Sequence, residues 1–303
     1  MEIIHKDLDK MGEVLIGCSG WSYPEPSEKG GWTGAFYPDS KTKRLQYYAE
    51  FFGTAEMDSS FYEKFYKFMT RRTFEGMVKA TPKKFQFSVK VPETVTHDKR
   101  LNVDKGAITL FEEFLDKISP LKTANKLGSI LIQLPPSFSV REFSNTERFL
   151  DRLPKEYDYA LEFRHPSWET EGPWDMLKHY NIATVLIDSP AKDNLQFLSE
   201  VIVTANHSFV RWHGRESRHR YNYLYSVEEL KPWIGKIKKM QMETSVVRGY
   251  FNNHYGAKAV VNALLFKEMI GESVSDKQRS ALEHAQTLAT QHNSKITSFT
   301  NSN

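Results

Sequence analysis

The apolar positions of the chain fall into eight short runs, each about the length of a buried β-strand. Most of the runs are nearly continuous in apolar side chains, as in LIGCS, SILIQL and ATVLID. Strands that are buried on both faces of a parallel sheet have this pattern. The predicted strands are Val14–Ser19, Ala55–Asp58, Phe85–Lys90, Ser129–Leu134, Tyr159–Phe163, Ala183–Asp188, Phe209–His213 and Val246–Phe251.

Amphipathic segments with helical spacing lie between most of these runs. In Lys43–Phe52, for example, Leu45 and Tyr48 share one apolar stripe. Further helices are predicted at Glu63–Lys79, Asp104–Lys126, Arg141–Leu153, Gly172–Tyr180, Val227–Met242 and Gly256–Met269. Strands that alternate with helices form crossover units, and eight such units predict a (β/α)8 barrel, the TIM barrel.

Two connections depart from the regular alternation. Asn194–Asn206 lacks a clear helical stripe, so either an irregular sixth crossover or a ninth short strand is expected there. The loop Gly20–Lys41 is long and rich in Gly, Pro and aromatic residues, which predicts an ordered lid or pocket wall. No linker divides the chain, so we expect one barrel domain over residues 1–292 and a frayed polar tail over residues 293–303.

Polar side chains stand at the ends of nearly all the predicted strands. In a (β/α)8 barrel these carboxyl-terminal ends meet at one face, where active sites form. Because side chains alternate along a strand, Glu162 and Arg164 share a face, and so do Arg211 and His213. Buried charge is costly unless it is paired, and for any single residue a structural ion pair is an equal alternative. The set as a whole predicts one functional pocket.

The residue types in this predicted pocket suggest two groups of roles. Groups suited to proton transfer in a hydrolytic reaction, with a phosphoester as the expected substrate, are Glu56, Glu162, Asp188 and His213. Side chains suited to binding an anionic ligand, by charge, hydrogen bonding or stacking, are Trp21, Tyr37, Asp58, Tyr62, Lys90, His97, Gln133, Arg164, His165, Trp168, Arg211, Arg215, Tyr250 and Asn252. Carboxylates nearly match the basic groups in number, so charge alone does not decide whether the arginines bind a ligand or the carboxylates.

Composition limits the classes of function. The net charge is +3 and the pI is about 8.6, whereas a general nucleic-acid coat is more basic. The single cysteine, Cys18, excludes an intrachain disulfide and a cysteine-based zinc site, and a small buried residue is its expected role. No apolar run has the length of a membrane span, and the charged N-terminus does not resemble a signal peptide. We therefore expect a cytoplasmic protein without a membrane partner, and nothing indicates an oligomeric state.

Histidines offer a metal-binding alternative. Four of them follow four different predicted strands: His97, His165, His213 and His254. Such residues bind zinc in some barrels, but their spacing here is not diagnostic and no HExxH motif is present. No cofactor is therefore predicted, and a divalent metal stays an alternative.

Basic clusters offer a second alternative to a small ligand. The cluster Arg215–Arg220, in HGRESRHRYNYLY, interleaves basic and aromatic residues beside the predicted pocket. Lys41–Arg44 and Lys236–Lys239 fall on predicted helices and are typical of solvated faces. The alternative function is therefore a nucleic-acid-binding module without catalysis, whose affinity would depend strongly on salt.

Eight motifs in order along the chain resemble the DUF72 (YecE-like) family. They are IGCSGWSYPEP, GAFYP, AEMDSSFY, FSVKVPETVTHD, ILIQLPPSF, ALEFRHPSW, FVRWHGR and GYFNNHYGAKAVVNA, and they extend from about Val14 to Leu265. The resemblance implies a TIM barrel without an established activity, similar in fold to the endonuclease IV and xylose isomerase barrels, which supports nucleic-acid binding by analogy alone. Asp58 departs from the asparagine usual in the family, and Trp32 replaces an earlier tryptophan from within an insertion.

Overall fold

Eight parallel strands close into a single barrel, in which each strand pairs with the next along the chain and the eighth pairs with the first. The computed structural model describes residues 11–216 and 221–300, except for the side chains of residues 291–300. The strands are β1 Glu13–Ser19, β2 Thr54–Met57, β3 Gln86–Lys90, β4 Leu127–Gln133, β5 Asp158–Glu162, β6 Ala183–Asp188, β7 His207–Trp212 and β8 Val246–Phe251. The TIM barrel predicted from the strand pattern is confirmed.

Helices lie between most of the strands and after the last one. They are α1 Arg44–Tyr48, α2 Glu63–Tyr66, α3 Arg71–Lys79, α4 Ala107–Thr123, α5 Phe143–Leu150, α6 Glu171–His179, α7 Val227–Glu243, α8 Lys258–Met269 and α9 Asp276–Thr300. The single helix expected over Glu63–Lys79 is in fact two, because the chain restarts at Thr70, whose amide donates to Thr73 Oγ1 (3.1 Å). Within the described residues, no helix is both long and apolar enough to cross a membrane.

The sequence pattern did not predict the last helix. Helix α9 packs against α8 and continues to Thr300, so it includes most of residues 293–303, for which fraying stays a prediction. Residues 301–303 lie outside the described part of the chain. The stripe that holds α9 in place includes the buried side chains of Leu282, Ala285 and Ala289, which the sequence analysis did not assign to any element.

The connection between β6 and β7 is irregular, as predicted. It contains two short 3-10 turns, Ala191–Asp193 and Gln196–Ser199, where the other crossovers have α-helices. The long loop after β1 is ordered around Trp32, which is fully buried and donates from Nε1 to the carbonyl oxygen of His254 (2.7 Å). This loop therefore forms a fixed wall above the barrel.

The barrel interior is polar at several levels below the strand ends. Near its amino-terminal end, Arg248 of β8 donates from Nη2 to Gln86 Oε1 (2.9 Å). Midway along the barrel, the Tyr250 hydroxyl lies 2.8 Å from both Thr54 Oγ1 and Ser88 Oγ. The barrel interior is therefore polar below the strand ends as well as at them.

Candidate functional site

A cavity of about 240 Å³ opens at the carboxyl-terminal ends of the strands. It is called the strand-end pocket below. The cavity brings together nine of the residues predicted from sequence: Asp58, Tyr62, Lys90, His97, Gln133, Arg164, Arg211, His213 and Asn252. Two more predicted residues, Glu56 and Glu162, are fully buried and bind Arg211 directly.

Arg211 of β7 is held by two carboxylates in the barrel interior. Its Nε and Nη2 donate to the two oxygens of Glu56 (2.8 and 2.7 Å), and its Nη1 donates to Glu162 Oε2 (2.7 Å). The guanidinium is therefore bidentate to Glu56, and Ser19 donates to Glu56 Oε1 as well (2.5 Å). Burial lowers the pKa of Arg211, but the two carboxylates outweigh this effect and raise its pKa above the ordinary value.

Glu162 of β5, the second carboxylate bound to Arg211, also accepts hydrogen bonds from other side chains. Its Oε1 accepts hydrogen bonds from Gln133 Nε2 (2.8 Å) and Arg164 Nη1 (3.0 Å). Burial raises the pKa of Glu162, but the charges of Arg211 and Arg164 prevail and hold that pKa well below its ordinary range. Glu162 is thus an anion at neutral pH and a structural partner of two arginines.

His213 lies between this network and the pocket. Its Nε2 is 3.3 Å from Glu162 Oε1, and its Nδ1 is 3.1 Å from the side-chain nitrogen Nδ2 of Asn252. Burial, reinforced by the charge of Arg211, lowers the pKa of His213 to about 3. The imidazole is therefore uncharged at neutral pH, with one ring nitrogen protonated, and its Nδ1 orients Asn252.

Lys90, at the end of β3, is a buried lysine with an unusual environment. Its Nζ donates to Gln133 Oε1 (2.7 Å) and sits 3.5 Å from the centre of the Phe61 ring. Across the described residues, no carboxylate oxygen lies within 4.0 Å of Nζ. Burial, together with the charge of Arg211, lowers the pKa of Lys90 to about 7, although Glu162, Glu56 and Asp58 oppose this shift. The amine is thus partly neutral at pH 7.

Asp58, just after β2, is the carboxylate that differs from Glu56 and Glu162. In the described part of the chain it forms no ion pair with any Lys, Arg or His within 4.0 Å. Burial raises the pKa of Asp58, and Lys90 and Arg211 offset this only in part. Among the carboxylates around the strand-end pocket, Asp58 is therefore the one left available to a ligand.

Aromatic side chains build one wall of the pocket. His254 is stacked between Tyr23 (4.6 Å between ring centres) and Tyr221 (5.0 Å). Burial lowers the pKa of His254 to about 4, so this ring is neutral at neutral pH. The sequence analysis did not assign Phe61 or Tyr221 to the site. The available signal was that Phe61 follows a predicted strand and that Tyr221 follows the basic cluster Arg215–Arg220.

A groove of about 680 Å³ continues from this wall along the loop after β1. It shares Asp58, Tyr62 and His254 with the strand-end pocket, and Trp21 lines it further out. Trp21 was predicted to bind ligand, and the structure places it beside the pocket in this groove. The predicted wall thus exists, and it adds apolar surface next to the polar cavity.

Asp188 does not lie in the strand-end pocket, contrary to the prediction of a single polar cluster. It pairs in register with Trp212, which faces outward and stacks on Phe251 (4.4 Å). Asp188 therefore points outward too, and it binds Arg215 Nη2 (2.7 Å) and Trp233 Nε1 (3.0 Å). The physical reason is the alternation of side chains along β6, which places Ile187 and Asp188 on opposite faces. Arg215, also predicted in the pocket, is removed from it by this pair.

Four further predicted ligand-binding residues lie outside the strand-end pocket. The Tyr37 hydroxyl is buried and donates to the carbonyl oxygen of Trp21. His165 accepts a hydrogen bond from the Ser167 amide through Nδ1 (3.1 Å) and so caps a 3-10 turn. Tyr250 lies below the pocket, in the middle of the barrel. In each case the hydrogen-bond partners are protein groups.

Trp168 is the fourth of these residues, and its environment predicts a structural role. It is fully buried, donates from Nε1 to the carbonyl oxygen of Phe138 (2.8 Å) and stacks on Phe163 (4.4 Å). Replacing Trp168 with alanine is expected to lower the free energy of unfolding by about 3–5 kcal/mol, because it leaves a large cavity. Urea unfolding followed by circular dichroism measures this loss. Trp168→Phe, which keeps most of the volume, should lose much less, and an unchanged stability in Trp168→Ala would contradict the structural role.

The metal and nucleic-acid alternatives find little support in the geometry. Among the described residues, no group of three or more His, Cys, Asp or Glu side chains is arranged to hold a metal ion. Of the basic cluster Arg215–Arg220, residues 217–220 lie outside the described residues, and Arg215 is engaged with Asp188. Cys18 is buried, and burial raises the pKa of its thiol, as expected for a packing residue.

Comparison with known proteins places this geometry among related barrels. A family model described as "Protein of unknown function DUF72" matches residues 15–287. The chain is 28% identical over 280 residues to the UPF0759 protein YunF of Bacillus subtilis, which covers 85% of this chain and 94% of that protein. It is 26% identical over 252 residues to the UPF0759 protein YecE of Escherichia coli, with 77% and 84% covered.

Solved structures are similar over most of the chain. A crystal structure of a DUF72 family protein from Thermotoga maritima superimposes with a TM-score of 0.69 at 30% sequence identity and covers 86% of this chain and all of that chain. A DUF72 family protein from Enterococcus faecalis, at 22% identity, gives a TM-score of 0.67, with 87% and 100% covered. The second likeness concerns the fold alone.

Proposed function

The chain belongs to the DUF72 family of proteins of unknown function, and we propose that its strand-end pocket binds a small ligand that carries a phosphate or carboxylate group. Arg164 is the main contact to the anionic group, and Lys90 is a second donor. Asp58 accepts a hydrogen bond from a hydroxyl or amine elsewhere on the ligand. The rings of Tyr62 and Tyr221, which line the pocket, pack against the apolar part of the ligand.

The observation that carries this proposal is the difference between the two arginines. Arg211 uses Nε and both terminal nitrogens on Glu56 and Glu162, so it has little capacity left for a ligand. Arg164 lines the cavity and, within the described residues, donates one hydrogen bond, to Glu162. Its remaining N–H groups match a phosphate or carboxylate, which guanidinium binds in a bidentate manner.

The size of the cavity favours a small ligand over a nucleic-acid strand. Its volume of about 240 Å³ lies just below the range of about 300–1,000 Å³ that is typical of small-molecule pockets. A ligand of a few carbon atoms with one anionic group fills such a space, whereas a nucleotide chain needs a longer channel. The nucleic-acid alternative therefore gains no support from the pocket itself.

Hydrolysis of a bound phosphoester remains a prediction, with a change in the residues assigned to it. Glu56 is bound at both oxygens by Arg211, Glu162 is bound by Arg211, Arg164 and Gln133, and Asp188 lies outside the pocket. With a pKa of about 3, the imidazole of His213 does not take up a second proton near neutral pH. Asp58 has no cationic partner within 4.0 Å in the described residues, and its raised pKa suits a general acid or base. We therefore assign proton transfer in any such reaction to Asp58.

Isothermal titration with a panel of sugar phosphates, nucleotides and short dicarboxylates tests the binding proposal. For any compound that binds, Arg164→Gln is expected to weaken the affinity by about 10- to 100-fold, the loss typical of one charged hydrogen-bonded contact of about 1.5–3 kcal/mol. The affinity of the wild-type protein should also fall as the pH rises above about 7, because Lys90 then loses the proton that attracts the anion.

Arg72→Gln is the matched control, since Arg72 is an exposed residue on α3 and the substitution makes the same change in net charge. It should leave the affinity unchanged. Equal affinities for wild type and Arg164→Gln across all compounds that bind would show that the anionic group is held elsewhere, and the proposal would then be wrong. Circular dichroism of each variant verifies that the barrel is intact.

A further inference from the structure

Lys90 differs in its hydrogen bonds from Lys126, another buried lysine. Lys126 donates three hydrogen bonds, to the carbonyl oxygens of Val78 (2.8 Å) and Thr81 (2.7 Å) and to Thr81 Oγ1 (2.9 Å). Lys90 donates one, to the amide oxygen of Gln133. All three N–H groups of the Lys126 ammonium therefore have acceptors. Nζ of Lys90 lines a cavity and, among the described residues, donates only one hydrogen bond.

The surroundings of Lys90 favour a neutral amine. The Phe61 ring covers one side of Nζ, and the residue is only 6% exposed to solvent. Arg211 supplies a neighbouring positive charge. The carboxylates that oppose it, Glu162, Glu56 and Asp58, do not outweigh this charge and the burial combined, and they lie farther than 4.0 Å from Nζ. A lysine that is desolvated and placed beside another cation is activated as a nucleophile, and such lysines form Schiff bases with carbonyl compounds.

Two other groups of the same cavity complete an arrangement for this chemistry. Arg164 offers free donors for an anionic group, and Asp58 offers a carboxyl group without an ion-pair partner in the described residues. Burial raises the pKa of Asp58, so it holds a proton at a higher pH than an ordinary aspartate. The cavity thus contains an amine, an anion-binding group and an acid.

We propose that Nζ of Lys90 forms an imine with a small aldehyde or ketone whose phosphate or carboxylate group is bound by Arg164. This rests on the proposed function for the part played by Arg164, and it adds the class of ligand, a carbonyl compound, and a covalent step. Lys90 is the residue that reacts, and Asp58 is the residue that moves protons.

The step balances without an oxidant or reductant. The lone pair of neutral Nζ forms a bond to the carbonyl carbon, and the carbonyl oxygen takes the proton of the Asp58 carboxyl group. Nζ then returns one proton to Asp58, which gives a neutral carbinolamine. Asp58 protonates the hydroxyl group, the carbon–oxygen bond breaks and water leaves, and the nitrogen lone pair forms the double bond. The products are a protonated imine, one water molecule and the Asp58 carboxylate.

Reductive trapping tests the imine. The protein is incubated at pH 7.5 with glyoxylate or with glyceraldehyde 3-phosphate, reduced with borohydride, and digested for peptide mass spectrometry. Lys90 is expected to be labelled at least about tenfold faster than the exposed lysines, because far more of its amine is neutral at this pH. Lys126, which is also buried, should stay unlabelled, and Lys90→Arg should abolish the rapid phase of labelling.

Propionaldehyde, which has no anionic group, separates the two proposals. If Lys90 is labelled no faster than the exposed lysines by any of the three aldehydes, the imine proposal is overturned, while binding of anions to Arg164 is judged by titration. If Lys90 is labelled rapidly and Arg164→Gln slows labelling by glyoxylate but not by propionaldehyde, both proposals are supported. If Arg164→Gln changes neither rate, the imine stands and the assignment of the anionic group to Arg164 fails.

Discussion

Replacing Arg211 with methionine is expected to lower the free energy of unfolding by about 3–5 kcal/mol, the cost typical of breaking a buried ion pair by removing one partner. Glu56 and Glu162 are both fully buried, and Arg211 donates three hydrogen bonds to them. Without the guanidinium, two carboxylates remain in the barrel interior. Their remaining donors among the described residues are Ser19, Gln133, Arg164 and His213. Urea unfolding at pH 7 measures the loss.

The pH dependence of this loss identifies its cause. In the wild-type protein the pKa of Glu162 is held low, so stability from this group is lost as the pH falls below about 4, the ordinary range of a glutamate. In Arg211→Met the pKa of Glu162 rises, because burial then acts with less opposition, and the folded state gains protons as the pH falls from 7 to 4. The difference in stability between the two proteins should therefore become smaller over that interval.

A triple variant serves as the control for this experiment. Arg211→Met combined with Glu56→Gln and Glu162→Gln removes the charges of all three residues, and replacing a whole buried network costs less than breaking it. It should recover much of the stability lost in the single variant. A loss below about 1 kcal/mol in Arg211→Met, typical of a solvent-exposed pair, would contradict the view that this network is shielded from water.

The fold could be predicted from sequence because its signal is repeated eight times. Each buried strand gives an apolar run, and two of the predicted strands, Ala183–Asp188 and Val246–Phe251, agree with the structure at both ends. The alternation of polar residues in β5 and β7 also placed Glu162 and Arg211 correctly on the inner face. These features depend on local periodicity, which a sequence contains.

The side of the barrel wall on which Asp188 lies could not be predicted from the sequence, because polar and apolar residues do not alternate along β6. The run ATVLID is apolar on both faces, since one face meets the barrel interior and the other meets the helices. Without a polar partner two residues away, the face of the terminal aspartate is undetermined. In β7, by contrast, Arg211 and His213 fix each other's side.

The division of roles between Arg164 and Arg211 is also a property of the folded protein. Both arginines stand at the ends of predicted strands, and the count of charges does not tell which of them binds the carboxylates. The closed barrel brings Glu56 of β2 across to Arg211 of β7, a contact between residues 155 positions apart. Trp168 shows the same limit, because packing against Phe163 sends this aromatic ring into the core rather than into the pocket.

Replacing Lys90 with methionine is expected to raise the free energy of unfolding at pH 7 by about 1–4 kcal/mol, because folding moves the pKa of Lys90 from about 10.4 down to about 7 and so opposes the charged form. Methionine is unbranched and similar in length, so it fills the space over the Phe61 ring. Lys126→Met is the matched control and should be destabilising, because it leaves three acceptors without their donor.

The pH dependence of the free energy of unfolding tests directly whether folding lowers the pKa of Lys90. The pKa of Lys90 is about 7 in the folded protein and about 10.4 in an unfolded chain. Between these values the unfolded state binds more protons, so stability that depends on Lys90 rises with pH, by up to about 1.4 kcal/mol per pH unit, and is lost as the pH falls towards 7. Titration of the wild-type protein with urea at pH 7, 8, 9 and 10 should show this slope, and Lys90→Met should lack it.

The charged groups around Lys90 determine whether that slope appears. Arg211 disfavours the ammonium form, whereas Glu162, Glu56 and Asp58 favour it, and the desolvation of Nζ exceeds their combined attraction. If the carboxylates prevailed instead, Lys90 would stay charged in the folded protein, Lys90→Met would be destabilising at pH 7, and the slopes of the two proteins would agree. Such a lysine would be an ion-pair partner and a poor nucleophile, so the stability curve and the trapping of an imine must agree with each other.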